Sequence, residues 1–184
     1  MHYKYSRNII TFTHRGTAVF NGIQPALKIL HVIKLATLQR RLEMAKITAT
    51  RYHDFSTGHR VYGHESKCSH LHGHNYRITF TVEADQLDTV GRVMDFSVIK
   101  EKLCVWLEEN WDHKFLVFKE DPWADVLKET DPQGVVVVNF NPTAENMGQY
   151  LIDTVGPVQL KGSNVKLIKV IIEETRKCAA EVSL

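Results

Sequence analysis

The chain has 184 residues, of which 43% are apolar and 24% are charged, and its formal net charge at pH 7 is +2. This size and composition are typical of one globular domain, and no apolar run approaches the roughly 18–20 residues that cross a bilayer. The three cysteines, Cys68, Cys104 and Cys178, are odd in number and widely spaced, which favours a reducing cytoplasm over a disulfide framework.

The charge is distributed unevenly along the chain. Residues 1–46 contain eight Lys or Arg and one acid, whereas the remainder contains fifteen Lys or Arg and twenty Asp or Glu. A nucleic-acid surface requires a basic stripe. The mildly acidic body therefore predicts no nucleic-acid partner, and the absence of a long apolar run predicts no membrane span.

The N-terminal region shows two patterns. Residues 1–22 have no consistent period and predict no element, whereas residues 24–46 have leucines at helical spacing: Leu27, Leu30, Leu35, Leu38 and Leu42. This basic amphipathic helix could bind a membrane surface or a partner, pack within the fold, or belong to an appended segment. We favour the last, because Met44 begins a stretch, MAKITATRYHDF, that continues directly into the first strand. Residues 1–46 are therefore expected to be an extension outside a domain of residues 47–184.

The body begins with two predicted strands and a helix. Residues 47–63 alternate and are rich in Thr and aromatic residues, which favours a strand. Residues 74–85 predict a second strand, whose apolar face is formed by Tyr76, Ile78, Phe80 and Val82. Asp95 is the expected N-cap of a helix over residues 96–111.

Three further elements complete the expected order. The β-branched run GVVVVNFN, residues 134–141, predicts a strand, and Thr143 begins a second predicted helix that continues to residue 155. Residues 165–182 predict one final long strand. This order predicts an α+β fold, in which the helices lie on one face of a mainly antiparallel sheet.

The segment KCSHLHGHNYRITF, residues 67–80, concentrates groups that can bind a metal at the start of a strand. His72 and His74 point to the same face because side chains repeat every second residue, and Gly73 between them permits a close approach from the other face. His59, at the end of the preceding strand, is the expected third ligand. Three neutral imidazoles with room for a fourth ligand are typical of a catalytic zinc site.

The cysteines differ in their surroundings along the sequence. Cys68 could be a fourth metal ligand, a buried structural residue, or a nucleophile or base, since a nearby cation and Lys67 would favour its thiolate. Cys104 lies in the apolar part of a helix and is expected in the core. Cys178 is expected to have no titratable cluster beside it.

The remaining histidines divide in the same way. His64 and His70 lie near the site but are not expected to hold the metal, and His53 is expected on a strand surface. His113 follows Asp112 just after the first helix of the body. An adjacent carboxylate raises the pKa of an imidazole and fixes its ring, which suits a proton carrier, although a structural role is the ordinary expectation for such a residue.

Five motifs in this order, CSHLHGHNY, GRVMDFSVIK, WDHKFL, NPTAENM and IIEET, resemble those of the 6-pyruvoyl-tetrahydropterin synthase family. The resemblance covers residues 47–182 and implies a T-fold, or tunnelling fold, that assembles into a homohexamer with active sites between subunits. It implies that His59, His72 and His74 bind Zn²⁺ and that Cys68 is the general base, with Asp112 and His113 as its proton relay.

The resemblance also implies a substrate. Glu174 matches the residue that anchors the pterin ring, and Thr143 and Glu145 match positions near the pterin, although both also suit a helix start. The implied activity is that of a lyase acting on 7,8-dihydroneopterin triphosphate. The three residues between Cys68 and His72 resemble the 6-carboxytetrahydropterin synthase branch of queuosine biosynthesis. The alternatives are the pyruvoyl branch and a non-catalytic pterin-binding protein, which would not need Cys68, Asp112 and His113.

Two departures from the family pattern affect the expected site. FSTGHR places Thr57 and Gly58 beside the first ligand where two alanines or a close variant are usual, and Ala144 replaces a hydroxyl residue found in some relatives.

Overall fold

The computed structural model describes residues 10–12, 18–20, 29–34 and 46–184. The chain divides into two units, Met1–Lys46 and Ile47–Leu184. In the first unit, β1 (Ile10–Phe12) pairs antiparallel with β2 (Ala18–Phe20), in a region where the sequence predicts no element. Residues 29–34 form a helix, α1, and the rest of the helix predicted over residues 24–46 lies outside the described residues apart from Lys46, which is not helical. The expectation that this unit lies outside the fold stays a prediction.

The second unit contains a six-stranded sheet. The central strands β3 (Thr48–His59), β4 (His72–Ala84) and β7 (Val165–Thr175) are antiparallel, and β8 (Cys178–Ser183) extends them at one edge. At the other edge, β5 (Phe115–Phe118) pairs parallel with β3 and with β6 (Val135–Val138). The strands lie in the order β6-β5-β3-β4-β7-β8. The sheet is therefore mixed: its four longest strands, β3, β4, β7 and β8, pair antiparallel as the sequence predicts, and β5 pairs parallel with both of its neighbours.

The alternation of β4 accounts for its place at the centre of the sheet. Tyr76, Ile78, Phe80 and Val82 are each at most 1% exposed, because side chains at every second position enter the same layer. Burial of one such side chain stabilises the fold by about 1.5–3 kcal/mol. This apolar face covers one side of the sheet and provides the surface on which the helices pack.

Two long helices cover that face, which confirms the predicted α+β class. Helix α2 runs through three consecutive segments, Phe96–Ile99, Lys100–Cys104 and Val105–Asn110. The side chain of Asp95 caps its start by accepting a hydrogen bond from the Ser97 backbone N–H at 2.8 Å. The side chains that α2 adds to the core are completely buried: Ile99, Leu103, Cys104 and Leu107. Cys104 is a core residue, as predicted.

The second long helix and a shorter one complete the unit. Helix α4 runs through Ala144–Tyr150, Leu151–Val155 and Gly156–Gln159, and it packs on β7 and β8. A shorter helix, α3 (Ala124–Thr130), packs on β6 through a small cluster that contains Val117, Ala124 and Val135. Among the described residues, no helix is long and apolar enough to cross a membrane.

The sequence prediction is wrong at two places in this unit. Residues 165–182 form two antiparallel strands, β7 and β8, rather than one long strand, and the chain reverses at Arg176 and Lys177. Strand β5 and helix α3 lie in a segment for which the sequence predicts no regular element. The reversal at Arg176 affects the candidate site, because it brings Cys178 back beside the end of β7.

Candidate metal centre and active-site cavity

Three histidines converge at the end of the β3–β4 hairpin. His59 is the last residue of β3 and lies directly opposite His72, the first residue of β4, while His74 lies two residues further on the same face. The ligand atoms of these three side chains lie within 4.8 Å of one another, and together they form the group of the described residues that could hold a metal ion. The structure thus brings together all three side chains predicted to bind metal.

Hydrogen bonds set the tautomer of two of these rings. The Nδ1 atom of His59 is 2.7 Å from the Pro142 carbonyl oxygen, and Nδ1 of His72 is 2.8 Å from the His70 carbonyl oxygen. Because a carbonyl only accepts, each Nδ1 carries the proton and each Nε2 keeps a free lone pair. Such a bond from the outer nitrogen to a carbonyl is typical of metal-binding histidine.

The residues present fit a metal ion. The Nε2 atoms of His72 and His74 are buried and have no hydrogen-bond partner, which is costly unless another ligand satisfies them. Burial lowers the pKa of His59, although the Pro142 carbonyl partly opposes the shift, and burial also lowers the pKa of His74. Both rings therefore stay neutral near pH 7, which is the state that binds a metal.

A pair of glycines lets the two strands approach closely at this point. Gly58 and Gly73 face each other in the register of β3 and β4. A Cβ atom on Gly73 would lie 2.9 Å from the Thr57 carbonyl oxygen and 3.2 Å from the Gly58 Cα atom. The close approach that the sequence predicts at Gly73 is made by the backbone of β3, and it holds His59 against His72 and His74.

Glu174 and Tyr76 lie beside the three histidines. The Glu174 Oε1 atom is 3.4 Å from Nε2 of His59 and 3.7 Å from Nε2 of His74. The Tyr76 hydroxyl is 3.1 Å from the same His59 nitrogen and donates a hydrogen bond to Glu174 Oε1 at 3.2 Å. Burial, together with the Glu174 carboxylate, raises the pKa of Tyr76. The sequence predicts Tyr76 only as part of the apolar face, although its parity with His72 and His74 is the signal that places it beside them.

Cys68, Glu174, Thr143 and Glu145 line one cavity of about 290 Å³. Cys68 is partly exposed and lies in the short helical turn Lys67–Ser69, whose position is fixed by a hydrogen bond from the Val61 backbone N–H to the Cys68 carbonyl. The hydroxyl of Thr143 also caps α4, because it accepts a hydrogen bond from the Asn146 backbone N–H at 3.2 Å. The four side chains predicted for catalysis and substrate binding on this side of the molecule therefore share a cavity.

Cys178 and His64 line the same cavity. The prediction that Cys178 has no titratable group nearby is wrong, because the reversal after β7 places it opposite Thr175 and beside the wall that carries Glu174. His64 is fixed by its own loop, since its Nδ1 atom accepts a hydrogen bond from the Ser66 backbone N–H at 2.9 Å. His70 contributes its carbonyl oxygen to His72, as described above.

Asp112 and His113 form a pair on a different cavity, of about 540 Å³, whose wall also includes Ser56 and Arg176. The Asp112 carboxylate accepts a hydrogen bond from the Ser56 backbone N–H at 2.9 Å and lies 2.9 Å from Nδ1 of His113. Burial opposes ionisation of Asp112, but these hydrogen bonds outweigh it and lower its pKa. Within one chain, the structure does not place this pair in the cavity of Cys68.

The backbone at His113 is unusual. Its φ angle is +54°, a left-handed conformation that residues other than glycine rarely adopt. A hydrogen bond of 2.7 Å from the His113 backbone N–H to the Ser56 carbonyl holds it there, and the side chain is 83% exposed. Strained residues of this kind are often found at functional sites. The imidazole is thus oriented by Asp112 and directed into open space.

Comparisons with known proteins identify the fold and the family. The family model described as 6-pyruvoyl tetrahydropterin synthase matches residues 48–184. The chain is 34% identical over 137 residues to a 6-carboxy-5,6,7,8-tetrahydropterin synthase of Rickettsia felis, and the match covers 74% of this chain and 99% of that relative. It is 38% identical over 117 residues to a probable enzyme of the same name from Halobacterium salinarum, with 63% of this chain and 72% of that relative covered.

Solved structures show the same fold. The fold matches an uncharacterised protein of Wolinella succinogenes with a TM-score of 0.65 at 25% identity, over 76% of this chain and 99% of that one. It matches the 6-pyruvoyl tetrahydropterin synthase of Caenorhabditis elegans with a TM-score of 0.54 at 25% identity, over 77% and 97% of the two chains. The predicted T-fold is confirmed. Since the family model covers most of the chain, the chain belongs to the 6-pyruvoyl tetrahydropterin synthase family.

Proposed function

We propose that the protein is a zinc-dependent 6-carboxy-5,6,7,8-tetrahydropterin synthase of the cytoplasm. The reaction converts 7,8-dihydroneopterin triphosphate into 6-carboxytetrahydropterin, a queuosine precursor, and releases acetaldehyde and triphosphate. The observation that carries the proposal is the convergence of His59, His72 and His74, two of which have buried nitrogens without a partner. The names of several relatives and the spacing of three residues between Cys68 and His72 support the carboxy branch.

The donor set determines which metal chemistry the site can supply. Three imidazoles that leave room for a further ligand suit Zn²⁺ in a catalytic role. Held by His59, His72 and His74, a Zn²⁺ ion would supply Lewis acidity, which would polarise the hydroxyls of the substrate side chain and acidify the adjacent C–H bond. The role of the protein is to hold the substrate at this position and to move the protons.

Glu174 is proposed to bind the pterin ring. Its carboxylate lies on the wall of the cavity and is one quarter exposed, so it can accept two N–H groups from the guanidine-like edge of a pterin. Paired charge-assisted hydrogen bonds both orient a planar ligand and discriminate against others. Thr143 and Glu145, at the start of α4, are proposed to contribute to the same pocket.

Cys68 is proposed to remove the proton from the substrate side chain. Cys68 lines the same cavity as Glu174, so a pterin anchored by the carboxylate would extend along a wall that includes this cysteine. Asp112 and His113 are proposed to carry the proton onward. Ionised Asp112 fixes the imidazole through Nδ1 and leaves Nε2 for the exchange.

The separation of Cys68 from Asp112 and His113 within one chain supports a site shared between subunits of a homohexamer. In the part of the chain that the structure describes, β3 is paired on its second side only at Gly58 and His59, and β8 is the last strand of the sheet. Two open edges of one antiparallel sheet can pair between copies and close a ring. Light scattering of the purified protein should give six times the chain mass of 21.1 kDa.

A product assay tests the proposal. Purified protein is incubated with 7,8-dihydroneopterin triphosphate, and the product is identified by mass spectrometry alongside a metal analysis. We expect 6-carboxytetrahydropterin and acetaldehyde, loss of turnover in chelator-treated protein, and recovery when zinc is returned. A pyruvoyl product would assign the chain to the other branch. Binding of pterin without turnover in the zinc-loaded protein would identify a non-catalytic binder.

A further inference from the structure

The Tyr76 hydroxyl lies between His59, a proposed zinc ligand, and Glu174, the proposed pterin anchor. It is 3.1 Å from Nε2 of His59 and donates a hydrogen bond to Glu174 Oε1 at 3.2 Å, and the whole residue is 1% exposed. We propose that Tyr76 is a positioning residue that holds the Glu174 carboxylate for the pterin and keeps it from becoming a metal ligand. This inference rests on the proposed function, since it assigns Glu174 to the substrate.

The acceptor of the Tyr76 hydroxyl proton depends on whether a metal is bound. The Nδ1 proton of His59 is used by the Pro142 carbonyl, so Nε2 of His59 is an acceptor. The Tyr76 hydroxyl has one proton, which either His59 or Glu174 can accept. With the His59 Nε2 lone pair engaged by a metal, the proton would be left for Glu174, so the Tyr76–Glu174 hydrogen bond seen here would be the one retained in the metal-loaded protein.

The position of Glu174 makes such a restraint necessary. Its Oε1 atom lies 3.4 Å and 3.7 Å from the Nε2 atoms of His59 and His74, so a small movement would bring it to a metal held by those nitrogens. Carboxylates bind zinc well, and a fourth protein ligand would convert a catalytic site into a closed structural one. An unrestrained Glu174 could therefore occupy the position that the substrate hydroxyls need.

The setting of Tyr76 suits it to this role. The ring is fixed on β4 by stacking on Phe55, with centroids 5.6 Å apart, and by edge contacts to His59 and His74. A buried ring with these neighbours has little freedom to turn, so the hydroxyl remains in one place. Removing only the hydroxyl, by Tyr76→Phe, leaves the packing of the ring and takes away one donor.

A double-mutant cycle with Tyr76→Phe and Glu174→Gln tests the inference. The zinc dissociation constant of each of the four proteins is measured by competition with a chelator. In wild type, Glu174→Gln should change zinc affinity little, because the carboxylate is not a ligand. In the Tyr76→Phe background, the same change should weaken zinc binding about 10-fold or more, because a carboxylate freed from the hydroxyl is lost from the metal.

Fluorescence titration with biopterin, a pterin without phosphates, gives the second measurement. Tyr76→Phe should weaken biopterin binding about 10-fold, which corresponds to loss of one hydrogen bond to a charged group. Tyr52→Phe is the matched control, because it removes a hydroxyl from an exposed tyrosine of β3 and should change neither constant.

The outcomes separate this inference from the proposed function. Equal effects of Glu174→Gln on zinc affinity in both backgrounds, or unchanged biopterin affinity in Tyr76→Phe, would overturn the role of Tyr76. Loss of zinc from Tyr76→Phe whether or not Glu174 is present would also overturn it, because the hydroxyl would then serve the metal group directly. Both titrations read out without turnover, so a failed product assay would refute only the proposed function.

Discussion

The close approach of β3 and β4 gives the strongest test of how the metal group is held together. In Gly73→Ala, the added methyl would lie 2.9 Å from the Thr57 carbonyl oxygen and 3.2 Å from the Gly58 Cα atom. Ordinary contacts are about 3.5–4.0 Å, so the strands must separate by about 0.5 Å. Both neighbours are backbone atoms, which cannot move aside as the end of a side chain can.

The displacement is large compared with what a metal site tolerates. Metal–ligand distances are held within about 0.2 Å, and Gly73 lies between His72 and His74. We expect zinc affinity to fall about 10- to 100-fold and the free energy of unfolding of the apoprotein to fall by about 1–3 kcal/mol. The first is measured by competition with a chelator and the second by urea denaturation.

Gly162→Ala provides the control for a general loss of stability. Gly162 has a φ angle of +81° and no atom within 4 Å of an added Cβ, so alanine there costs about 1–2 kcal/mol of backbone strain without moving β3 or β4. Its zinc affinity should equal that of wild type. Wild-type zinc affinity in Gly73→Ala, or an equal loss of zinc affinity in both variants, would show that the close approach at Gly73 does not hold the three histidines together.

Three further predictions concern the thiol, the extension and pH. Cys68→Ala should retain zinc but lose turnover by about 10²–10⁴-fold; loss of zinc, seen by metal analysis, would make the thiol a ligand. Deletion of residues 1–43 should preserve activity, and light scattering should give six times the mass of the shortened chain; aggregation would place that segment within the fold. Burial lowers the pKa of His59 and His74 from 6.5, so the unfolded chain binds protons at a higher pH than the folded protein does. The apoprotein should therefore be most stable above pH 6.5 and should lose stability as the pH falls through the folded-state pKa of these rings. Urea denaturation showing no loss by pH 5 would contradict this.

The sequence predicts the centre of the sheet well, because only one face of its strands is buried and the apolar residues therefore alternate with polar ones. In β4 the buried positions alternate with more exposed ones over most of the strand, and that period is visible directly in the residues from Tyr76 to Val82. The same alternation brings His72 and His74 to one face. The pairing of His59 with His72 follows once a hairpin is assumed, so the metal group is predictable from local pattern and one contact.

The missed elements lack such a pattern. Strand β5 is four apolar residues, FLVF, buried at its centre between two parallel neighbours, and a run this short carries no period. The reversal between β7 and β8 is made by Arg176 and Lys177, without the Gly, Asn or Pro that usually marks a turn. The run from Val165 therefore predicts one strand.

The error at the reversal also explains the error at Cys178. On a single extended strand, Cys178 would lie far from Glu174 in space, whereas the hairpin pairs it with Thr175. Parity places Tyr76 on the face of His72 and His74, but its hydrogen bond to Glu174 on β7 could not be predicted, because that strand is remote in sequence. Side chains that meet across three strands depend on register, which periodicity does not determine.

The Pro142 carbonyl connects His59 to the start of α4, the second long helix. Pro142 immediately precedes Thr143, the cap of α4, and Asn141 exchanges two hydrogen bonds with the backbone of Tyr62. The link between β6 and α4 is thus fixed by hydrogen bonds to His59 on one side and to the backbone of Tyr62 on the other. Substitutions at residues 141–143 would therefore shift the proposed ligand His59 without altering any of the three histidines, so we expect them to weaken metal retention before they disturb the fold.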